Sequence, residues 1–563
     1  MPTSRPIIEC VPNFSEGRDL DLIRQITDQV ETVEGARLLD VDPGAATNRT
    51  VVTIAGPPDA VVEAAFRAVA RATELIDMTK HKGEHPRFGA TDVCPLVPVS
   101  GISMDETVVY ARALAKRLGE ELGLTIYCYE HAALQPERRN LATVRAGEYE
   151  GLPQRLADPA WKPDFGPAKF NPTSGATAVG ARNFLIAYNV NLNTTSSRRA
   201  NAVAFDVREK GRVKTVDGKP ESAPVLDARG EKVWTPGTLE GVKAIGWYIE
   251  EYGIAQISMN LTDIDTTPMH VAFDEASVKA AARGLRVTGS EIVGLVPLGA
   301  MLDAGRYYLK KQHRSLGVSD GELIKIAVKS LGLDDLGPFK PEEKIIEYLL
   351  ADSDRKLLVD LPVAAFVEEA ASESPAPGGG SVSATVGALG AALGTMVANL
   401  SSHKRGWDER WEEFSNWAVK GKALHEELVR LVDQDTEAFN AVLAAMRLPK
   451  TTDAERAERS AAIRDATMGA IRVPFRIMEQ ALESMNLLEA MARDGLPASV
   501  SDAGVGAICA RAAVMGAFLN VRINAKDLAD HETIKDLLAR GQRIQAEAIE
   551  REAKILELVE GKL

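Results

Sequence analysis

Residues 412–446, "EEFSNWAVKGKALHEELVRLVDQDTEAFNAVLAAM", repeat apolar side chains every three or four positions, as a long amphipathic helix does. Residues 532–560, "ETIKDLLARGQRIQAEAIEREAKILELVE", follow the same spacing. Strand patterns stop after "PFKPEEKIIEYLL", residues 338–350. We therefore predict that residues 357–563 form an all-α bundle.

The chain before this bundle alternates short β-rich segments with amphipathic helices. The alternation runs to about residue 180 and then starts again, which predicts two ferredoxin-like α/β subdomains, residues 1–181 and 182–350, with a cleft between them. Residues 351–356 are the predicted linker. Residues 209–238 are polar and lack periodicity, so we expect a surface loop or hairpin there. A change of fold class within one chain suggests two functions.

Composition is that of an ordinary soluble globular protein. The 563 residues are 45% hydrophobic and 26% charged, and the net charge of −14 makes nucleic acid an improbable partner. The first thirty residues contain four acidic side chains and no continuous apolar stretch, so we expect no signal peptide. The four cysteines are scattered without metal or disulfide spacing, which together with the missing signal predicts a cytoplasmic protein: Cys10, Cys94, Cys128 and Cys509.

One uncharged segment has the length of a membrane span, "SVSATVGALGAALGTMVANL", residues 381–400. Alanine and glycine supply most of its hydrophobicity, and Gly387, Gly390 and Gly394 fall on one helical face. Small residues on one face let helix backbones approach closely. We therefore interpret the segment as a core helix of the bundle.

The first candidate for chemistry is "HKGEHPRFGATD", residues 81–92, which matches the spelling of an inverted zinc-peptidase motif built on His81, Glu84 and His85. Two histidines four residues apart share a metal only on a continuous helix. Gly83 and Pro86 disfavour that helix, because proline restricts the residue before it. A loop displays a general base well, and a histidine titrates in the right range. A merely structural role for His85 stays open.

The second candidate is Asp435. On a helix, the positions three, four and seven residues away from Asp435 are all apolar, so its carboxyl group is expected on the buried stripe with a raised pKa. A structural ion pair with another helix is the alternative. Asp433 shares a face with charged residues instead, which predicts a solvated side chain.

The loop "SPAPGGGS", residues 374–381, leads directly into the small-residue helix. Backbone N–H groups of Gly378, Gly379 and Gly380 would then stand at a helix N-terminus and could hold an anion of the substrate. A flexible linker is the plainer interpretation. No lysine follows, so the loop is not a nucleotide P-loop.

Two further stretches are candidates for binding. "LLDVDPGAATNRT", residues 38–50, places Asp40 and Asp42 on one face at the end of a strand, where turn capping is as good an explanation as catalysis. "GPAKFNPTSGATAVGAR", residues 166–182, is glycine-rich enough for a flat or anionic ligand to approach closely. Its "GATAVGAR" lacks a dinucleotide-binding glycine pattern and precedes a predicted strand, not a helix.

These motifs together resemble the bifunctional formimidoyltransferase-cyclodeaminase family of histidine degradation. The resemblance spans nearly the whole chain in order and rests on these segments: "IECVPNFSEGRD", "LLDVDPGAATNRT", "HKGEHPRFGATDVCPLVPV", "PDFGP", "GATAVGARNFLIAYN", "AIGWY", "APGGGSVSA" and "LVDQDTEAFNAVLAAMRLPK". It implies that formimidoyl passes from N-formimidoyl-L-glutamate to tetrahydrofolate, and that the product closes to 5,10-methenyltetrahydrofolate with loss of ammonia. Residues 209–238 depart from the family pattern.

The resemblance also implies roles for individual residues. His85 matches the catalytic histidine of the transferase and Asp435 the catalytic aspartate of the cyclodeaminase. Folate-binding stretches map onto Gly166 to Gly175 and onto Gly237 to Gly246. Tetrahydrofolate is a co-substrate, with or without a polyglutamate tail, and the chemistry needs no metal.

From the residues themselves we add that Asp42 suits the cationic amidinium and Arg87 a glutamate carboxylate. The helix faces rich in alanine and glycine predict a homo-oligomer through the helical domain. Two rival hypotheses stay open. One is a zinc hydrolase, and the other is a transferase whose helical domain serves only for assembly.

Overall fold

The computed structural model describes residues 6–45, 48–82, 87–219, 222–351, 357–374, 376–528 and 532–563. These residues fall into two compact units. One is bounded as Met1–Ala304 with Ile324–Ala351, and the other as Gly305–Leu323 with Asp352–Leu563. The first contains two sheets and the second is helical. The predicted order of two α/β regions followed by a helical region is confirmed.

The first sheet has seven strands in the order β1-β4-β2-β5-β7-β6, with β3 paired to the outer side of β4. It is mixed, because β7 runs parallel to both β5 and β6 while the other pairs are antiparallel. Its strands are β1 (Ile7–Cys10), β2 (Asn13–Phe14), β3 (Arg37–Gly44), β4 (Arg49–Gly56), β5 (Thr91–Ser100), β6 (Thr125–Glu130) and β7 (Ala176–Ala181).

Among the described residues, five helices accompany this sheet, of which the apolar spacing predicts the first three. They are α1 (Leu20–Glu31), α2 (Pro58–Leu75), α3 (Met104–Glu121), α4 (Leu141–Val144) and α5 (Glu148–Ala157). Proline opens α2, where its missing N–H is not needed. Ser103 and Glu106 form the expected capping box at the start of α3. The alanine-rich face of α2 and the inner face of β5 share one buried core.

The second sheet has four antiparallel strands in the order β11-β12-β8-β13. The predicted hairpin of the polar insert is present as a separate two-stranded pair. The strands are β8 (Ile186–Leu192), β9 (Arg212–Val213), β10 (Trp234–Thr235), β11 (Val242–Ile249), β12 (Ile254–Leu261) and β13 (Val287–Val293). The helices that follow in this part of the chain are α6 (Ser197–Val207), α7 (Met269–Ala281), α8 (Leu298–Lys311), α9 (Asp320–Leu331), α10 (Pro341–Lys344) and α11 (Ile346–Leu349).

The helical unit packs α13 against α14, α15 and α16 around one apolar core. Close packing depends on glycine: a Cβ on Gly390 of α13 would lie 2.8 Å from the carbonyl oxygen of Gly506 on α16. The helices in this part of the chain are α12 (Val363–Ala370), α13 (Gly379–Ser402), α14 (Trp411–Met446), α15 (Asp453–Asp494), α16 (Val500–Asn524) and α17 (Glu532–Glu560).

Among the described residues, two helical segments are long and apolar enough to cross a membrane, Gly379–Ser402 and Pro497–Asn524. Their apolar windows are 61% and 50% buried inside the protein, respectively. The core-helix interpretation of residues 381–400 agrees with this burial, because Gly387, Gly390 and Gly394 all face neighbouring helices.

Three details differ from the sequence-based expectations. Helix α2 ends at Leu75 and not near Thr79, with Ile76 already extended. "ATAVGA" precedes the strand β8 as expected, but it is also a strand itself, β7, buried throughout between β5 and β6. Residues Gly305–Leu323, expected in the second α/β subdomain, belong to the helical unit, where a Cβ on Gly317 would lie 2.3 Å from the carbonyl carbon of Ala418.

Candidate active sites

Asp435 lies on α14 where the buried stripe of that helix meets its surface. Leu428, Leu431 and Val432, the neighbours one and two turns earlier, are fully buried. Phe439, one turn later, is exposed. The carboxyl group is therefore half-buried. As expected, burial raises the pKa of Asp435, and hydrogen bonds from the side chain and backbone of Ser381 oppose the rise without cancelling it.

The N-terminus of α13 meets this carboxyl group. Gly378 is the N-cap of α13, and Gly379 and Gly380 are its first two residues. A Cβ on Gly380 would lie 2.2 Å from Oδ1 and 2.3 Å from Oδ2 of Asp435, so no larger residue fits without moving the carboxyl group. A helix N-terminus presents free N–H groups and a positive dipole end. The Asp435 carboxyl group therefore occupies the Gly380 side of this N-terminus.

Ser381 connects the two helices. Its Oγ donates to the backbone carbonyl of Val432 at 2.8 Å and lies 3.3 Å from Oδ2 of Asp435. The Oγ of Thr436 lies 3.2 Å from the same hydroxyl. Ser381 is fully buried, so these contacts fix the carboxyl group of Asp435 relative to the start of α13.

The other side of this N-terminus is open. Gly378 and Gly379 are exposed, while Gly380 is buried. A Cβ on Gly379 would lie 3.0 Å from Nδ2 of Asn520 on α16, and one on Gly378 would meet no atom within 4 Å. The glycine loop thus leaves room beside an acid of raised pKa, which is the geometry a proton donor needs.

Asp433 does not have the solvated side chain expected from its helical face. It is half-buried, and its Oδ1 accepts a hydrogen bond of 2.7 Å from the backbone N–H of Leu358. Leu358 begins a short 3₁₀ turn that packs on α14. The helical wheel of α14 alone does not show this turn. Asp433 anchors the turn through this hydrogen bond, so a substitution at Asp433 is a poor control for one at Asp435.

His85 lies outside the described residues, together with Gly83, Glu84 and Pro86. The residues before them are held firmly. His81 is buried, and its Nε2 donates to the backbone carbonyl of Asn48 at 2.7 Å. A carbonyl only accepts hydrogen bonds, so Nε2 carries the proton and is not available to bind a metal.

Asn48 holds the start of the histidine loop from two sides. Its Nδ2 donates to the carbonyl of Lys82 at 3.1 Å, and its Oδ1 accepts from the N–H of Gly17 at 3.0 Å. Asn48 adopts a left-handed backbone conformation, φ 48°, which asparagine tolerates better than most residues. Sequence reasoning missed Asn48, although asparagine beside a strand start is a usual signal for this conformation.

A charged network missed by the sequence analysis lies at the start of β5. Asp92 is fully buried and pairs with Arg49 and, at 2.7 Å, with Arg145. Arg49 also donates to Oδ1 of Asn13 from Nε at 3.0 Å and from Nη2 at 2.8 Å. Two arginines share one carboxylate here. Arg145 is 53 residues away from Asp92, so local motifs gave no sign of the contact.

Arg87 and Asp42 are placed apart from these contacts. Arg87 pairs with Glu150, and its guanidinium carbon lies 5.5 Å from the ring centroid of Tyr149. Asp42 is exposed on the edge strand β3, opposite Val51 of β4. Their contacts with a substrate stay predictions.

The four glycines proposed to contact folate pack against the protein's own backbone. Gly175 has φ 65°, and a Cβ there would lie 2.5 Å from the carbonyl oxygen of Phe88, next to the histidine loop. Gly246 of β11 faces α6, where a Cβ would lie 2.0 Å from the N atom of Asn201. Gly166 and Gly237 approach Leu124 and Arg208 in the same way. Chain packing alone accounts for these glycines, so contact with folate stays a prediction.

The described residues contain no group of three or more His, Cys, Asp or Glu side chains arranged to hold a metal ion. This statement does not cover Glu84 and His85, which lie outside the described residues.

Three family models match the chain in sequence. They are "Formiminotransferase domain, N-terminal subdomain" over residues 7–182, "Formiminotransferase domain" over residues 187–351 and "Formiminotransferase-cyclodeaminase" over residues 362–543. The formimidoyltransferase-cyclodeaminase of Gallus gallus is 45% identical over 555 residues, covering 98% of this chain and 99% of the relative.

Relatives of each part also exist separately. The glutamate formimidoyltransferase of Streptococcus pyogenes serotype M1 is 41% identical, covering 54% of this chain and 93% of the relative. The methenyltetrahydrofolate cyclohydrolase of Methylorubrum extorquens is 37% identical, covering 35% of this chain and 95% of the relative.

Proposed function

Because the chain belongs to the formimidoyltransferase-cyclodeaminase family, we propose that it catalyses two consecutive reactions on one folate. Formimidoyl is transferred from N-formimidoyl-L-glutamate to N5 of tetrahydrofolate. The 5-formimidoyl product then cyclises to 5,10-methenyltetrahydrofolate and releases ammonia. The observation that carries the second reaction is the half-buried carboxyl group of Asp435 at the glycine N-terminus of α13.

Asp435 is the proposed acid of the cyclodeaminase. N10 of the folate attacks the formimidoyl carbon, and the bond from that carbon to the amino nitrogen breaks. The nitrogen leaves as ammonia only after it has gained a proton, and a carboxyl group whose pKa is raised by burial keeps its proton to higher pH than an ordinary aspartic acid does. The exposed N-terminal residues Gly378 and Gly379 are the proposed binding surface for an anionic part of the folate.

His85 is the proposed base of the transferase. It removes the proton from N5 as this nitrogen attacks the formimidoyl carbon, and glutamate leaves from the same carbon. Asn48 and His81 support this role indirectly, because their contacts hold the chain immediately before His85. We propose that Asp42 contacts the cationic amidinium and that Arg87 contacts a glutamate carboxylate. Arg87 would have to exchange its exposed partner Glu150 for the substrate.

The folate is a substrate of both steps. Its proposed contacts are the segments Gly166 to Gly175 and Gly237 to Gly246. Tetrahydrofolate is a proposed substrate both with and without a polyglutamate tail. No metal is part of the proposed chemistry.

We also propose the domain boundaries 1–181, 182–350 and 357–563, with residues 351–356 as a linker and with Gly305–Leu323 as a segment of the second region that packs in the helical unit. For the second subdomain, the element order β8-α6-β11-β12-α7-β13 and the sheet order β11-β12-β8-β13 support a ferredoxin-like fold. The first subdomain has seven strands, so the ferredoxin-like description is a proposal there with less support.

Self-association through the helical unit is a further part of the proposal. The adjacent helices α13 and α16 expose apolar side chains that a second copy of the chain would cover. These side chains are Val382, Leu389, Met396, Val505, Ile508, Leu519 and Ile523. Leu519 and Ile523, 62% and 69% exposed, lie one turn apart, and a charge at either position should dissociate the oligomer. We place the protein in the cytoplasm, on the composition given above.

The two rival hypotheses make different predictions. If the helical unit served only for assembly, it would not need an acid of raised pKa packed against a glycine that admits no side chain. The packing of Asp435 on Gly380 therefore favours a catalytic role. A zinc hydrolase built on His81, Glu84 and His85 has no support among the related proteins. His81 also commits Nε2 to Asn48.

The proposal is tested by incubating the purified chain with N-formimidoyl-L-glutamate and tetrahydrofolate. Glutamate, ammonia and the methenyl-folate absorbance should appear in equal amounts. Release of ammonia without tetrahydrofolate would contradict the proposal, as would glutamate release that is never followed by ammonia.

A further inference from the structure

We propose that the polar insert and α6 form a binding site for a small polyanion in the second α/β subdomain. They enclose a cavity of about 840 Å³, which is the size of small-molecule sites. Six cationic side chains line it: Arg198, Arg199, Arg208, Arg212, Lys232 and Arg283. Among the described lining residues none is acidic. This concentration of positive charge stands out in a chain whose net charge is −14.

The cavity has a built wall and is not a gap beside a loose loop. The hairpin β9–β10 pairs Val213 with Trp234, and Lys214 N donates to the Val233 carbonyl at 2.8 Å. The hairpin is attached to α6 through Arg212, whose Nη2 donates to the carbonyl of Ala202 at 3.0 Å. The insert therefore holds its cations at a fixed position against α6.

Internal ion pairs account for only part of this charge. Asp206 is shared by Arg212 and, at 2.6 Å, by Arg283. Arg198, Arg199 and Lys232 have no ion-pair partner among the described residues. Burial, and then the neighbouring Arg212, lowers the pKa of Arg208, so the arginines also disfavour one another. A bound anion would relieve this repulsion.

Helix stability does not explain Arg198 and Arg199 either. They lie in the first turn of α6, after the N-cap Ser196. Cations at a helix N-terminus oppose the helix dipole, and anions are favoured there. Two arginines in this turn are thus unfavourable for the free protein and suit a ligand of opposite charge.

Two aromatic rings complete the wall. Lys210 Nζ lies 4.2 Å from the ring centroid of Trp234, and the guanidinium carbon of Arg208 lies 4.1 Å from that of Phe205. Trp234 is 37% exposed in the cavity wall. Arginine binds phosphate and carboxylate groups in a bidentate manner, so a ligand with several such groups is the class that fits. The described residues of the site include neither His85 nor Asp435, and the site adjoins the proposed folate segment Gly237 to Gly246, where a Cβ on Gly237 would lie 2.1 Å from the carbonyl oxygen of Arg208.

The test is titration of the full-length chain at low salt with sodium tripolyphosphate and, separately, with tri-γ-glutamate. Calorimetry should show saturable 1:1 binding of at least one of them, with a change in Trp234 fluorescence that Trp234→Phe removes. Tighter binding of tripolyphosphate would identify a phosphate ligand, and tighter binding of tri-γ-glutamate a polycarboxylate. Either result supports the site.

The double variant Arg198→Glu with Arg199→Glu should weaken binding at least tenfold, because it removes two charge-assisted contacts. The matched control is Arg24→Glu with Lys116→Glu, two exposed cations on α1 and α3. This control changes the net charge equally and should bind as the wild type does. Absence of saturable binding for both probes, or equal weakening in both double variants, would overturn the proposal. Binding is read directly, so its failure would leave the proposed reactions untouched.

Discussion

The carboxyl group of Asp435 rests on the α-carbon of Gly380, so closely that a Cβ at position 380 would lie 2.2 Å from Oδ1. This contact joins the two motifs of the helical unit, one at the start of α13 and the other within α14. It brings the free N–H groups of a helix end to an acid that burial keeps protonated more readily than usual.

Gly380→Ala should therefore impair the cyclodeaminase, because the added methyl group displaces the Asp435 carboxyl group. We expect ammonia release from 5-formimidoyltetrahydrofolate to fall by about 100-fold or more, as for a displaced general acid. Gly469→Ala on α15 is the matched control, since a Cβ there would meet no atom within 4 Å. Equal rates for the two variants would show that the contact has no catalytic role.

Ser381→Ala should move the pH dependence of ammonia release. The Ser381 hydroxyl opposes the rise in the pKa of Asp435, so its removal should raise that pKa further. The active form is the protonated acid, and the rate falls as pH rises through its pKa. This falling limb should therefore shift to higher pH in Ser381→Ala.

Ser383→Ala is the control for that shift. The Ser383 hydroxyl donates to the carbonyl of Gly379 at 2.6 Å and not to Asp435. A limb that moves to lower pH in Ser381→Ala, or moves equally in both variants, would contradict the assignment.

Glu9→Gln should stabilise the protein at alkaline pH. Burial raises the pKa of Glu9 from 4.5 to about 7, and Arg182 opposes this only in part. The folded state thus favours the neutral acid, so the cost of ionisation is absent below pH 4.5 and complete above about pH 7. Across that window the wild type should lose up to about 3 kcal/mol relative to Glu9→Gln.

The measurement is the difference in Tm between the wild type and Glu9→Gln at pH 5 and pH 8. The exposed Glu34 supplies the control Glu34→Gln. A difference that is the same at both pH values would mean that Glu9 does not titrate in this window.

Asn48 should be needed by the transferase alone. Asn48→Ala and Asn48→Gly both remove the bonds to Gly17 and Lys82 that hold the start of the histidine loop. Alanine must also adopt φ near 48°, which costs about 1 kcal/mol more than glycine does. Glutamate release should fall in both variants, with the lower Tm in Asn48→Ala. Loss of cyclodeaminase activity on supplied 5-formimidoyltetrahydrofolate would show a general folding defect instead.

The sequence predicted what depends on local periodicity. The spacing of residues 412–446 predicted α14, and the apolar neighbours of Asp435 predicted its burial. The same helical wheel was wrong for Asp433, because the 3₁₀ turn at Leu358 that covers it comes from a distant part of the chain.

Contacts between distant elements could not be predicted in this way. The glycines at the start of α13 predicted an anion site, but only the packing of α13 on α14 shows that the Asp435 carboxyl group lies against Gly380. The strand β7 was not predicted, because alanine and glycine are weak strand formers, and burial between β5 and β6 overrides that preference. The pairing of Arg145 with Asp92 spans 53 residues and has no local signature.

The two-site account predicts that the reactions can be separated by single substitutions. With N-formimidoyl-L-glutamate and tetrahydrofolate supplied, His85→Ala should release no glutamate yet still cyclise added 5-formimidoyltetrahydrofolate. His81→Ala should lose less activity than His85→Ala. If both histidine variants lost a stoichiometric metal ion from the purified protein, the assignment of His85 as a base would be wrong.

The most direct measurement follows both products of Asp435→Asn in one reaction. Asparagine keeps the size of the side chain but cannot deliver a proton, which should slow ammonia release by about 10²–10⁴-fold. Glutamate should still appear at the wild-type rate while 5-formimidoyltetrahydrofolate accumulates, and Glu412→Gln, an exposed change on the same helix, should match the wild type in both steps. Production of methenyl-folate and ammonia by Asp435→Asn at the wild-type rate would contradict the account.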